Sequence, residues 1–135
     1  MCHYTMSDSL RISFVGGGAM GEAIIKAALA HGTLQPTQIG VSEPDEGRRT
    51  GLRERYGIHT FAQNAECVRG ATVIVLAVKP QVASGVLSDI KPSVSSDALI
   101  VSIMAGVTIE AIRAGLHAAQ PVIRTMPNTP AQIGQ

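Results

Sequence analysis

No apolar run in this chain of 135 residues is long enough to cross a bilayer; the longest, over 73–78, falls far short. Residues 1–10 lack the apolar centre of a secretion signal and read as a flexible tail, with Met6 as an alternative start. Charge of one sign is also missing. Formal net charge is +1 and no basic run exceeds a pair, which excludes the electrostatic footprint of a nucleic-acid or anionic-membrane binder. Cysteine occurs only as Cys2 and Cys67, neither a disulfide framework nor a metal-type pair, which fits a reducing cytoplasm. The four histidines (His3, His31, His59, His117) are scattered without ligand spacing, so no metal site is expected. What remains is 45% hydrophobic and 16% charged, about one domain, able to bury roughly two-thirds of its unfolded surface.

The most informative segment is Arg11-Ile12-Ser13-Phe14-Val15-Gly16-Gly17-Gly18-Ala19-Met20-Gly21. A short apolar run ends in Gly16-x-Gly18-x-x-Gly21, and a helical pattern begins at once. At a strand-to-helix turn each glycine has its own job. Gly16 permits the tight bend, Gly18 lets backbone approach a pyrophosphate, and Gly21 lets helix and strand pack closely. The helix over 19–31 aims its unpaired N–H groups and positive dipole end at the phosphates. A glycine-rich turn alone is common. A carboxylate at the right distance downstream points this one to dinucleotide binding.

Strand and helix signals alternate along the rest. Strands are expected over 12–15, 38–42, 58–61, 72–78, 99–104 and 122–126. The continuous β-branched content of the fourth suggests burial on both faces, as in a parallel sheet. The first helix carries Met20, Ile24 and Ala27/Ala28 on one face. A second, over 45–56, is weakened by Gly47 and Gly51 and closed by Gly57. Asn64 caps a short helix through Arg69, stopped at Gly70. Pro80 suits the first turn of a helix with Val82, Val86 and Ile90 at four-residue spacing. Thr108 caps the last, with Ile109, Ile112 and Leu116 inward and Glu110 at its positive end. This succession predicts an α/β fold, a Rossmann-type doubly wound parallel sheet over 11–126 with right-handed crossovers. Ligands in such folds bind beyond the carboxyl ends of the strands, near the switch in strand order.

Glu43 closes the second strand, about 20 residues past the glycine turn, where a carboxylate accepts from both adenosine ribose hydroxyls and repels a 2′-phosphate. The plainer reading is a solvated acid at a strand end. Arg48, Arg49, Arg53 and Arg55 read mostly as an exposed helix face, yet the first two are within reach of a 2′-phosphate. The choice between NAD and NADP stays open on this pattern. Ala77-Val78-Lys79-Pro80 and Ile103-Met104-Ala105-Gly106 end the fourth and fifth strands at the ligand edge, either as cofactor-following backbone or as ordinary turns. Arg124-Thr125-Met126-Pro127-Asn128-Thr129-Pro130 is a strand end with two proline-restricted steps, readable by itself as a rigid exit.

Taken together, Phe14-Val15-Gly16-Gly17-Gly18-Ala19-Met20-Gly21, Leu76-Ala77-Val78-Lys79-Pro80-Gln81, Val101-Ser102-Ile103-Met104-Ala105-Gly106-Val107-Thr108 and Arg124-Thr125-Met126-Pro127-Asn128-Thr129-Pro130 resemble the N-terminal half of pyrroline-5-carboxylate reductase. The resemblance runs from Arg11 to the end. It implies reduction of the C=N bond of 1-pyrroline-5-carboxylate to L-proline, the last step of proline synthesis, with NADPH or NADH. It implies that Val15, Gly16, Gly17, Gly18, Ala19 and Met20 hold the pyrophosphate, and that Glu43 and Asp45 flank the ribose. Asn64, Ala77, Val78, Lys79, Pro80, Ile103, Met104 and Ala105 would follow the cofactor toward its nicotinamide. Met126, Pro127, Asn128 and Thr129 would floor the substrate site. The family's helical second half builds a homo-oligomer and contributes substrate-binding residues. Residues 127–135 would begin the link to it, and catalytic residues are expected there rather than here. Thr72 stands where the family commonly has an acid, and Glu43 where small or polar residues often serve NADP. The second departure moves the expectation toward NADH.

Two other readings compete. A β-hydroxyacid or prephenate dehydrogenase shares the glycine turn but leaves the Met126-Pro127-Asn128-Thr129-Pro130 segment unexplained. A non-catalytic dinucleotide-binding module, or a fragment with exposed apolar surface, fits a chain without the second half.

Overall fold

Short β-branched runs become the strands of one sheet. The computed structural model describes residues 10–125. Strands β1 (Ile12–Val15), β2 (Ile39–Ser42), β3 (His59–Phe61), β4 (Val73–Leu76), β5 (Leu99–Ser102) and β6 (Val122–Arg124) run parallel in the order β3-β2-β1-β4-β5-β6. β1 pairs on one side with β2 and on the other with β4, so Val15 lies between Ser42 and Leu76. The order reverses there, and the crevice of a doubly wound sheet opens at that carboxyl edge. The predicted Rossmann-type fold is the one observed.

Helices cover both faces. α1 (Ala19–Ala30) and α2 (Glu46–Tyr56) bury Ile25 and Leu52 with Phe14, Ile39, Val41 and Val75. α3 (Asn64–Val68), α4 (Ala83–Ile90) and α5 (Ile109–Gly115) lie on the other face, where Val68, Leu87, Ile90 and Ile112 meet Ile74, Leu76 and Ile100. Fully buried side chains of this kind contribute about 1.5–3 kcal/mol each. Gln120, also fully buried, donates through Nε2 to the Ser95 and Ala98 carbonyls and pins the loop ahead of β5. Opposite Val101 in the register, Ile123 of β6 is 51% exposed, so the sheet face behind α1 is open at its β6 end among the described residues. None of the described helices is long and apolar enough to cross a membrane.

Several expectations need correction. Helix α1 is rotated from its predicted face: Gly21 and Ile25 are buried, Ile24 and Ala28 pack beside them, and Met20 and Ala27 are exposed. Pro80 opens a single 3₁₀ turn (Pro80–Val82) rather than the helix itself. The change of pitch turns Val82 out to 50% exposure, and Ala83, Leu87 and Ile90 become the buried face of α4. Asn64 is the first residue of α3, not its cap; Gln63 holds that position without a side-chain bond. Leu10, expected in the tail, is partly buried against the core, and its carbonyl accepts from Gln38 Nε2. The strands at 72–78 and 99–104 are shorter than predicted, because their last residues turn away to form the carboxyl edge; β6 covers Val122–Arg124 of the predicted 122–126, and Met126 lies outside the described residues. The rest of the tail, with Cys2, His3 and Met6, and the predicted link at 127–135 lie outside the described residues.

Candidate functional site

The glycine turn is shaped by what surrounds each glycine. Gly16 has φ +105°, and a Cβ there would stand 3.0 Å from the Ala77 carbonyl oxygen and 3.1 Å from Val78 Cγ1. Its N–H donates to the Ser42 carbonyl at 3.2 Å, which fastens the turn to the end of β2. At Gly21 a Cβ would lie 3.3 Å from the Gly16 carbonyl oxygen and 3.7 Å from Ala77 Cβ, the close helix–strand approach expected of the third glycine. Gly18 differs from both. A Cβ there would meet nothing within 4 Å, and no side chain caps the helix it begins. The first-turn N–H groups of α1 are thus without a side-chain cap, and with the helix dipole they make a donor set suited to a diphosphate.

Glu43 stands beside this turn. A Cβ on Gly17 would fall 2.9 Å from Glu43 Oε1. Glu43 Oε2 accepts from the Asp45 N–H at 3.1 Å, and Asp45 Oδ2 in turn caps α2 by accepting from the Arg48 N–H at 2.8 Å. The predicted ribose pair is thus a folded unit at the carboxyl end of β2. Sequence reasoning missed what the arginines do. Arg48 Nε donates to the Gly17 carbonyl at 2.5 Å, and its Nη2 to Glu22 Oε1 at 2.8 Å. Arg49 Nη1 donates to the carbonyls of Glu43 and Pro44. Arg53 reaches Thr60 and Thr50 across the surface, as expected of an exposed face.

Glu22 gathers the rest of the cluster. Its Oε2 accepts from Tyr56 Oη at 2.6 Å and faces Arg55 at 3.1 Å. The Tyr56 bond, helped by the Arg48 bond and both guanidinium charges, holds the Glu22 carboxyl below its usual value against the opposing effect of burial. The same bond raises Tyr56.

Other predicted residues divide into two groups. Ala77 and Val78 flank Gly16 and Gly21 directly. Lys79 and Pro80 are exposed just beyond them. Ile103 donates its N–H to the Leu76 carbonyl, which brings the end of β5 against β4, and Ala105 is exposed there. Met104 points the other way: its side chain is 3% exposed within the α4–α5 core, leaving only its backbone to the edge. Asn64 uses its amide on Asp89 of α4 at 3.3 Å. A hollow of about 290 Å³ between the starts of α4 and α5, with Ala83, Ser84, Leu87, Val107, Thr108 and Ala111 in its lining, meets the predicted ligand edge at Pro80 and Gly106. Met126, Pro127, Asn128 and Thr129 lie outside the described residues. No metal-type group of His, Cys, Asp and Glu occurs among the described residues.

Comparison with known proteins agrees with this fold. The pyrroline-5-carboxylate reductase of Escherichia coli (strain K12) is 39% identical over 123 residues, spanning 91% of this chain and 46% of that protein. The structure of a pyrroline-5-carboxylate reductase from Coxiella burnetii superimposes with a TM-score of 0.85 at 33% identity, over 93% of this chain and 46% of that one. That of the Plasmodium falciparum pyrroline carboxylate reductase, with NADP bound, does so with 0.78 at 27%, over 97% and 47%. The chain spans about half the length of the curated relatives it matches. A family described as NADP oxidoreductase, coenzyme F420-dependent, matches residues 11–106, from the start of β1 past the end of β5, and the chain belongs to that family.

Proposed function

We propose that this chain is the nucleotide-binding half of a pyrroline-5-carboxylate reductase, reducing 1-pyrroline-5-carboxylate to L-proline with NADPH or NADH. The observation that carries the reading is the 39% identity to the Escherichia coli enzyme across 91% of the chain, joined to a turn with room for a diphosphate at Gly18. When bound, the reduced nicotinamide supplies the hydride. This chain's residues bind and orient. The α1 N–H groups and Gly18 seat the diphosphate, Glu43 and the Asp45 backbone form the ribose end, and Ala77, Val78, Lys79, Pro80, Ile103, Met104 and Ala105 present backbone along the carboxyl edge. Asn64 joins this set by exchanging Asp89 for the nucleotide. Met126, Pro127, Asn128 and Thr129 floor the substrate position in this reading.

Reduction of an iminium needs no general base, and the described edge offers no buried histidine or carboxylate for one. The complete enzyme is read as a cytoplasmic homo-oligomer whose second half supplies substrate-binding groups. The test is oxidation of NADH or NADPH by the intact gene product on addition of 1-pyrroline-5-carboxylate. Turnover with this imine, and none with β-hydroxyacids or prephenate, is expected. A gene product that binds nucleotide at saturation yet leaves the imine untouched would refute the reductase and leave a binding module.

A further inference from the structure

Resting on the reductase reading above, we propose that this chain receives the carboxylate of the imino acid between Lys79 and Arg124, at the nicotinamide half of the carboxyl edge. The two halves of that edge differ in charge. At the end of β2 stand Glu43 and Asp45, with Arg48 and Arg49 already bonded to nearby carbonyls. Beyond β4, β5 and β6, residues 77–82, 103–108 and 124–125 carry two charged side chains, Lys79 and Arg124, and no acid. Both are exposed, and among the described residues neither has an ion pair or a side-chain hydrogen bond. Glu110, in the first turn of α5, belongs to a different surface, shared with Lys91 and Arg113. Cations left unpaired at one end of a cleft focus an attractive field on an anionic ligand.

Leu76, Ser102 and Arg124 pair in one row across β4, β5 and β6, and Lys79 follows that row by three residues. Parallel neighbours lie about 4.8 Å apart, so β4 and β6 are separated there by about 10 Å. Two long side chains from those ends can therefore reach one small anion over the end of β5, where Ala105 and Gly106 are small and exposed. Pro80, next to Lys79, and Gly106 also belong to the hollow between the starts of α4 and α5, whose volume of about 290 Å³ is at the lower end of small-molecule sites. Leu87 and Val107 give that hollow an apolar wall, and Ser84 and Thr108 bring hydroxyls. Thr108 Oγ1 accepts from the Ala111 N–H, which leaves its O–H to donate. A small apolar ring bearing one carboxylate matches this combination. The charge also meets a physical need. A diphosphate at the α1 turn repels a second anion, and two cations on the substrate's side offset that repulsion.

Steady-state reduction of 1-pyrroline-5-carboxylate and of 1-pyrroline, the same ring without the carboxylate, by the intact gene product at saturating NADH or NADPH tests this. The unaltered protein is expected to favour the carboxylate-bearing imine in kcat/KM. Lys79→Met and Arg124→Met are each expected to cut kcat/KM for that imine about tenfold, mostly through KM, the order of one charge-assisted contact at a partly solvated site. Reduction of 1-pyrroline should be nearly unaffected, and Lys79→Arg should keep the preference. High salt should narrow the preference in the unaltered protein and not in the double variant. A fall of equal size for both imines would assign the two cations to the nucleotide or the fold and overturn the proposal. So would a preference that survives in the double variant; either result leaves the reductase reading standing. An unaltered protein that binds nucleotide but reduces neither imine overturns the reductase reading, and this proposal with it.

Discussion

Arg48 and Gly17, 31 residues apart in sequence, are joined by a hydrogen bond from Nε to the glycine carbonyl. The bond carries the crossover helix α2 back onto the tip of the turn that opens α1. It satisfies a carbonyl that no strand or helix partner claims at the bend, and it fixes the orientation of the peptide next to Gly18. Stability and ligand geometry meet in that one guanidinium.

Replacing Arg48 with methionine keeps most of the stem and removes both polar contacts. The Gly17 carbonyl then turns to water, and Glu22 keeps only Tyr56 and Arg55. Because the arginine side chain is about one-third exposed, the loss is closer to a surface pair than to a buried one, about 1–2 kcal/mol. Urea denaturation measures it. NADH affinity should fall as well, since the turn loses its tie. An unchanged midpoint together with unchanged affinity would show that the bond holds nothing in place.

Two of the turn glycines should respond differently to one added methyl group. Gly16→Ala forces a positive φ on a residue with a Cβ and drives that carbon against the Ala77 backbone. It should destabilise the fold by about 2 kcal/mol or more, as strained backbone positions do. Gly18→Ala meets nothing in the protein, so its thermal midpoint should match that of the unaltered chain. Its methyl would instead occupy the space through which a diphosphate approaches. Calorimetry should therefore show nucleotide binding lost in Gly18→Ala with the fold intact. Retained binding there would remove the diphosphate from this turn.

The alternation of strands and helices was legible because buried parallel strands read as unbroken apolar runs and crossovers have one hand. The tight bend at Gly16 and the close packing at Gly21 were legible for a related reason: both follow from local backbone geometry at a strand end. Arg48 was not. Periodicity marks it as an outward helix position, and nothing local reveals that α2 folds back over a turn whose glycines leave room for a guanidinium. The face of α4 was misread because a 3₁₀ turn after Pro80 shifts the phase, which a fixed helical period cannot register. Met104 shows the same limit at a strand end, where one residue decides between cleft and core.

Glu22 gives the cluster a pH signature. Its carboxyl is lowered from the usual 4.5, chiefly by the Tyr56 hydrogen bond, so the folded state holds its charge longer than the unfolded chain. That contribution is complete above the usual carboxylate value and fades as pH falls through the lowered one. Melting temperature should therefore drop on acidification below about pH 4.5 more steeply in the unaltered protein than in Glu22→Gln. Equal slopes would mean that the network does not favour the ionised carboxylate.

Cys67 offers a reporter at the opposite end of the scale. Its thiol is buried between α3 and β1, with Sγ 3.8 Å from the Phe14 carbonyl oxygen, and burial pushes it up to about 12 from the usual 9.0 despite hydrogen bonds from Ser13 and Ser42. A thiol so placed is neither exposed nor ionised near neutrality, so alkylation requires the chain to open. In a Cys2→Ser background, iodoacetamide at pH 8 should label Cys67 only at the rate at which the protein unfolds. Adding nucleotide at 100 times its Kd should slow that labelling by about 100-fold, because binding draws population away from the opened state. The raised value also sets a direction with pH: the unfolded thiol ionises first, so this site's contribution is intact below 9 and is lost as pH climbs toward 12. Cys67→Ala should flatten the alkaline fall in stability. Rapid labelling of the folded protein at neutral pH would mean that α3 does not seal the thiol against β1.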